Sequence, residues 1–209
     1  LRRAPRPPPP PAAVVQLGTK AFAMDVGANS IVVGGADRCV YVYDTRRLGE
    51  LVERRESILR HEIRALKVGL DSASFASSSV EGRVAVEYLD AAENAQARYA
   101  FKCHRAREEG GQEAVHPVNA LAFHPVHGTF ATGGGDGGVC VWDPGAKKRL
   151  WKLDPFHTSV SSLCFSADGS RLAIGASRVL DEDGKTSAQA VQLAVRETAG
   201  MQLAPKGRK

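Results

Sequence analysis

Residues 116–153 read HPVNALAFHPVHGTFATGGGDGGVCVWDPGAKKRLWKL, and this stretch constrains the fold more than any other. It divides into four short apolar runs with turn chemistry between them. Residues 118–123 alternate and stop at His124 and Pro125, and residues 129–132 lead into Gly133-Gly134-Gly135-Asp136-Gly137-Gly138. Residues 139–142 stop at Asp143-Pro144, and 149–153 follow the basic turn at Lys147 and Lys148. Runs of this length, rich in Val, Phe and Trp and bounded by Gly, Asp and Pro, predict β-strands joined by tight hairpins. A single four-stranded unit cannot bury its faces alone, so it demands neighbours of the same kind.

The rest of the chain supplies them. A first unit is expected at 20–57, with strands over 22–26, 31–34, 40–44 and 51–56 and an inner turn at Gly34-Gly35-Ala36-Asp37. A second, at 62–104, has strands over 63–68, 75–79, 84–90 and 99–104, and Glu81-Gly82 takes the place of Asp-Gly. The opening stretch is the third, at 117–153. The fourth, at 159–197, offers 160–165, 172–176 and 191–195, separated by Ser166-Ala167-Asp168-Gly169 and a polar loop at 181–187. No fourth strand is expected after Arg196.

Val141-Trp142-Asp143 after a Gly-Asp-Gly turn resembles a WD40 repeat, one four-stranded propeller blade of about 40–45 residues. Tyr43-Asp44 stands at the matching place in the first unit. The resemblance implies an all-β WD40 β-propeller over residues 14–209, incomplete, with about four C-terminal blades of a seven-bladed ring. Propellers close with typically four to eight blades, so such a chain is expected to be part of a larger one. It opens on Leu1 and not on Met, which points to a fragment or an incomplete gene model.

Composition removes other classes. A net charge of +5 over 209 residues favours acidic partners without naming one. No apolar run of about 18 residues exists, so no membrane partner is expected. The four cysteines, Cys39, Cys103, Cys140 and Cys164, lack CxxC pairing and suit reduced thiols. Residues 1–13 (LRRAPRPPPPPAA) form a low-complexity leader expected to be disordered, or a ligand for a proline-binding domain.

No catalytic residue, metal site or cofactor is expected. The glycine run 133–138 lacks Gly-Lys-Ser/Thr and precedes a strand, so it reads as a turn and not a phosphate loop. Cys103 and His104, read as neighbours on a strand, would point to opposite faces and could not share one ion. Neither HExxH nor Gly-x-Ser-x-Gly appears. Asp37, Asp136 and Glu81 are expected to hold the inner turns, and Asp44, Asp90 and Asp143 to end the third strands. Arg64, Arg83, Lys102 and Arg105 gather in the second unit, where the simplest reading is a solvated basic face.

RRESIL at 54–59, SSVEGRVAVEYLD at 78–90 and YAFKCHR at 99–105 narrow the resemblance, together with PVNA at 117–120 and FATGG at 130–134. From about Lys20 onward these segments resemble the spindle-checkpoint WD40 proteins of the Bub family. EGRVA, FKCHR and HPVHGT at 124–129 are also similar to the Rae/Gle mRNA-export family. The Bub resemblance implies a non-enzymatic adaptor that binds acidic and phosphothreonine peptides and recruits checkpoint kinases to phosphorylated kinetochores. It implies that Arg64 and Arg105 hold glutamates of a Glu-rich docking segment in the kinases. Arg83 and Lys102 would read a phosphothreonine of the kinetochore scaffold, and the protein would reside in the nucleus, at kinetochores in mitosis, with the cytoplasm open. The alternatives are an mRNA-export and nucleoporin-binding adaptor, a non-functional fragment, or a salt-sensitive nucleic-acid binder. The last is disfavoured because the basic residues are not interleaved with stacking aromatics.

Overall fold

The computed structural model describes residues 13–108, 110–177 and 191–205. The leader up to residue 12 and the loop 181–187 lie outside the described residues. Four antiparallel sheets follow one another along the chain. The first holds β1 (Ala21–Val26), β2 (Ser30–Gly35), β3 (Cys39–Asp44) and β4 (Leu51–Glu56). The second holds β5 (Ile63–Val68), β6 (Ser74–Ser79), β7 (Arg83–Tyr88) and, after helix α1 (Ala91–Ala97), β8 (Tyr99–Lys102). A two-stranded hairpin, β9 (Arg105–Arg107) and β10 (Glu113–Val115), leads to the third sheet. That sheet is β11 (Val118–Phe123), β12 (Phe130–Gly134), β13 (Val139–Asp143) and β14 (Lys148–Leu153). The last is β15 (Val160–Phe165), β16 (Arg171–Ala176) and β17 (Gln192–Glu197).

The strands of each sheet are neighbours in chain order, and, β9 and β10 apart, each lies within two residues of its expected span. The first strands of successive sheets pack on one another, β1 on β5, β5 on β11 and β11 on β15. Sheets stacked through their first strands are arranged as blades of a β-propeller.

Apolar residues from facing sheets fill each seam. Val32, Val40 and Val42 meet Ile63, Leu66 and Phe75 between the first and second sheets. Val84 and Val86 meet Val118, Leu121 and Phe130 between the second and third. Val139 meets Val160, Leu172 and Ile174 between the third and fourth. Phe75 and Phe130 are fully buried. Truncating either to Ala is a large-to-small core change of the kind that costs about 3–5 kcal/mol.

Three features depart from the expected pattern. The first is the short helix α1: β7 stops at Tyr88, and Asp90, expected to end that strand, caps the helix instead. Its carboxylate accepts from the Glu93 amide at 2.8 Å, and Ala-rich sequence follows it. The buried Asn94 then ties the helix back by accepting from the Tyr88 amide. The second feature is the β9–β10 hairpin. The third lies beyond β17, where the chain folds back in place of a fourth strand. Leu203 is buried against Ala131 and Val141 of the third sheet, and its carbonyl accepts from the Thr129 hydroxyl at 2.8 Å.

Among the described residues no helix is long and apolar enough to cross a membrane.

Candidate peptide-binding site

Asp37, Asp136 and Asp143 all accept backbone N–H groups in turns. Asp136 Oδ1 accepts from the Gly138 amide at 3.0 Å, and Asp143 Oδ1 from the Ala146 amide at 2.9 Å. Asp37 accepts the Tyr41 hydroxyl at 2.7 Å, the Arg54 guanidinium at 2.9 Å and the Cys39 amide at 3.3 Å. The Tyr41 hydroxyl, and then Arg54, outweigh burial and lower the Asp37 carboxyl to about 2. Because the folded state holds this proton more weakly than an ordinary aspartate, its stabilisation is complete above about pH 4 and is lost as pH falls toward about 2. Asp37→Asn is therefore expected to melt below wild type at pH 6, with the gap closing between about pH 4 and 2. A gap that stays constant in acid would contradict this account.

Glu81 behaves differently. Its Oε2 lies 3.5 Å from Arg83 Nε and 3.6 Å from His61 Nε2, while Oε1 is buried without a hydrogen-bond partner among the described residues. It thus offsets the charge of Arg83 at the start of β7.

Arg83 opens β7 directly opposite Lys102, which ends β8. Opposite residues of an antiparallel ladder emerge on one face with Cβ atoms about 4.5–5.5 Å apart, so two like charges there repel unless an anion joins them. Lys102 makes no ion pair within the described residues, and only Glu81 offsets Arg83. Just past β8, Arg105 sends Nη1 to Glu113 Oε2 at 2.7 Å and Nη2 to the Glu81 carbonyl at 2.8 Å. Its Nε is buried and unpaired among the described residues. The chain therefore gathers Arg83, Lys102 and Arg105 around the Glu81-Gly82 turn. Arg64 turns elsewhere, to Asn119 Oδ1 on β11 at 3.4 Å, and Asn119 in turn donates to the Val160 carbonyl at 3.1 Å.

Gly82 makes this turn feasible. It adopts φ +63°, and a Cβ there would come within 2.8 Å of the Cys103 carbonyl and 3.0 Å of the His116 carbonyl. A side chain would be both strained and obstructed.

A polar network that the sequence reading missed lies behind the site. His104 is not on a strand, contrary to the reading from Cys103 and His104, since β8 ends at Lys102 and His104 sits at φ +50°. Both residues are buried. The His104 ring reaches Asp136 Oδ1 through Nδ1 and Thr132 Oγ1 through Nε2, each at 2.8 Å. Trp142 Nε1 donates to the same Thr132 hydroxyl at 3.0 Å. Burial pushes the Asp136 carboxyl up, but the His104 hydrogen bond and the Gly138 amide more than offset it and hold it below the usual range. The signal available in sequence was the recurrence of a His ahead of a sheet and an acid in an inner turn. His61 with Glu81 repeats it in a looser, exposed form.

No cluster of three or more His, Cys, Asp and Glu able to hold a metal ion occurs among the described residues.

Comparison with known proteins bears on the fold and on the relatives of the chain. The family model of the WD domain, G-beta repeat, matches residues 111–143 and 148–185, so the chain carries WD40 repeats. The computationally designed Ika4 protein superposes with a TM-score of 0.61 at 22% identity, over 90% of this chain and 98% of that one, which speaks for the fold alone. More narrowly, the chain is similar to the Bub-type mitotic checkpoint proteins. It is 48% identical to the mitotic checkpoint protein bub-3 of Caenorhabditis elegans over 165 residues, 78% of this chain and 48% of that protein. The mRNA export factor GLE2 of Chaetomium thermophilum follows at 35% over 162 residues, 78% of this chain and 45% of that protein. The chain spans about half the length of the curated relatives it matches.

Proposed function

We propose that this chain is part of a non-enzymatic WD40 adaptor of the mitotic spindle checkpoint, which binds acidic and phosphothreonine peptides. The observation that carries the reading is the cation set around Glu81-Gly82, lying inside the part of the chain similar to the checkpoint proteins. Arginine suits such a site because its planar fork pairs bidentately with carboxylate or phosphate. Arg64 and Arg105 hold glutamates of a Glu-rich docking segment in checkpoint kinases. Arg83 and Lys102 read the phosphothreonine of a kinetochore scaffold, so the protein works in the nucleus and at mitotic kinetochores.

The four sheets are blades of a larger ring of seven, with residues 1–13 as a leader outside it. Two observations support this. The aligned part is only 48% of the Caenorhabditis elegans protein and 45% of GLE2, and the two end sheets expose apolar strands: Met24 and Val26 on β1, Leu193 and Val195 on β17. A second reading, an mRNA-export adaptor binding a nucleoporin peptide, draws on the weaker similarity to GLE2.

Calorimetry with a Glu-rich kinase peptide tests the proposal. Arg105→Glu and Arg64→Glu are each expected to weaken binding by about 2–5 kcal/mol, since each leaves an acidic side chain facing a like charge. Unchanged affinity in both variants would remove the assignment. A nucleoporin peptide that binds tighter than the kinase peptide would favour the export reading.

A further inference from the structure

Beside Arg105 lies a hollow of about 270 Å³, lined by Lys102, His104, Arg105, Glu113, Trp142 and Arg149 among others. Three of these are cations, and among the described residues Glu113 is the one carboxylate in the lining. Arg105 cannot leave, because its side chain is 14% exposed and its Nη2 is held by the Glu81 carbonyl. Glu113 can. Its side chain is 48% exposed, and it sits on β10 of a hairpin only three residues long on each strand. Gly110 and Gly111 in the hairpin tip both have positive φ, and isolated two-stranded hairpins are marginal in water. The hairpin's firm attachment is at its base, where the His116 amide donates to the His104 carbonyl at 3.1 Å.

We propose that this hollow is a carboxylate-binding site occupied by the chain's own Glu113, which an acidic side chain of the docking peptide must displace to reach Arg105. The inference rests on the acidic-peptide reading above and adds a competitor and a new contributor, Arg149. The two outer ends of the Arg105 guanidinium are both engaged, one by Glu113 and one by the Glu81 carbonyl. An incoming carboxylate therefore competes with Glu113 at Nη1, where the like charge of Glu113 stands in its way. Exchange is easy, since a half-exposed ion pair contributes little net stability. It also favours the ligand, because a flexible peptide can reach Lys102 and Arg149 as well. The hydrogen bond from Arg105 holds the Glu113 carboxyl below the usual range, as expected of a carboxylate lodged against a cation. Glu113 thus raises the threshold for binding, so that peptides with one isolated acidic residue are rejected and multiply acidic ones are accepted.

The test uses the full 209-residue chain with two probes, a Glu-rich peptide and citrate, in titration calorimetry. Glu113→Gln is expected to bind both up to about fivefold tighter than wild type, the range set by one exposed ion pair. Adding Arg149→Ala to Glu113→Gln is expected to remove most of that gain. If the peptide binds no form while citrate still gains with Glu113→Gln, the docking partner is wrong and the carboxylate site stands. Weaker peptide binding by Glu113→Gln would mean that Glu113 positions Arg105, and would overturn the proposal while leaving the docking site intact. Equal affinities for both probes in wild type and Glu113→Gln would overturn it too.

Discussion

His104→Ala is expected to destabilise the protein by about 3 kcal/mol or more, the sum of a buried cavity and a lost polar network. The residue is 6% exposed, and its ring joins Asp136 and Thr132, which have few other partners. Removing it strips Asp136 of its side-chain donor and leaves the fully buried Thr132 hydroxyl with the Trp142 indole and a distant 3.5 Å approach to the Cys140 carbonyl. The effect should reach beyond one sheet. His104 follows the second sheet, while Thr132, Asp136 and Trp142 belong to the third, so the network fastens one sheet to the next. For a chain of this size the melting temperature should fall by roughly 6–12 °C. His157→Ala, at an exposed position, is the control and should stay near wild type. A His104→Ala melt indistinguishable from that control would show that the network is decorative.

Gly134 offers an independent route to the same conclusion. A Cβ built on it would collide with the His104 ring, so the backbone of β12 leaves the space that the imidazole fills. Gly134→Ala should therefore mimic His104→Ala in part, by expelling the ring without deleting it. This explains why the glycine run 133–138 was legible as a turn but not as a binding pocket for a side chain. The run announces conformational freedom at Gly137, where φ is +75°, and says nothing of which distant residue needs the empty volume at Gly134.

The same division applies elsewhere. Strand spans were readable because alternation and turn residues are local, as in β5 and β11, whose bounds match the expected ones. Helix α1 was equally local and was still missed. Asp90 followed by Ala91, Ala92 and Glu93 is a helix start, but a four-strand repeat left it no place in the reading. The docked Leu203 could not have been found this way, since its burial depends on Ala131 and Val141, far away in the chain. For the candidate site, residue types and neighbourhood were legible, and the pairing was not. Nothing in the sequence says that Arg105 takes Glu113 or that Arg64 takes Asn119. Both choices are made by how β9, β10 and β11 leave the second sheet.

A phosphothreonine peptide of the form Met-Glu-Leu-phosphothreonine is expected to bind at least tenfold tighter than its unmodified twin. The phosphate carries about −1.5 to −2 charge near neutral pH and three acceptor oxygens, where threonine has one neutral hydroxyl. Arg83 and Lys102 supply the opposite charge from adjacent strands, and their enforced proximity is the point. Two cations on one face of a ladder cost stability in the free protein, and a dianion between them relieves that repulsion as it binds. Each charge-assisted hydrogen bond contributes about 1.5–3 kcal/mol, so losing either cation should erase most of the discrimination. Arg83→Ala and Lys102→Ala are thus expected to bind the two peptides almost alike, and each variant should melt no lower than wild type. That second readout separates a ligand-binding pair from a structural one, because a structural pair would lower the melt when broken. Added salt should shrink the preference, since both groups are at least partly open to solvent. Arg83→Lys should retain a part of it, keeping the charge while losing the planar fork. Equal affinity of the unmutated protein for both peptides would leave Arg83 as a partner of Glu81 and Lys102 as a solvated lysine, and the phosphate reading would fall.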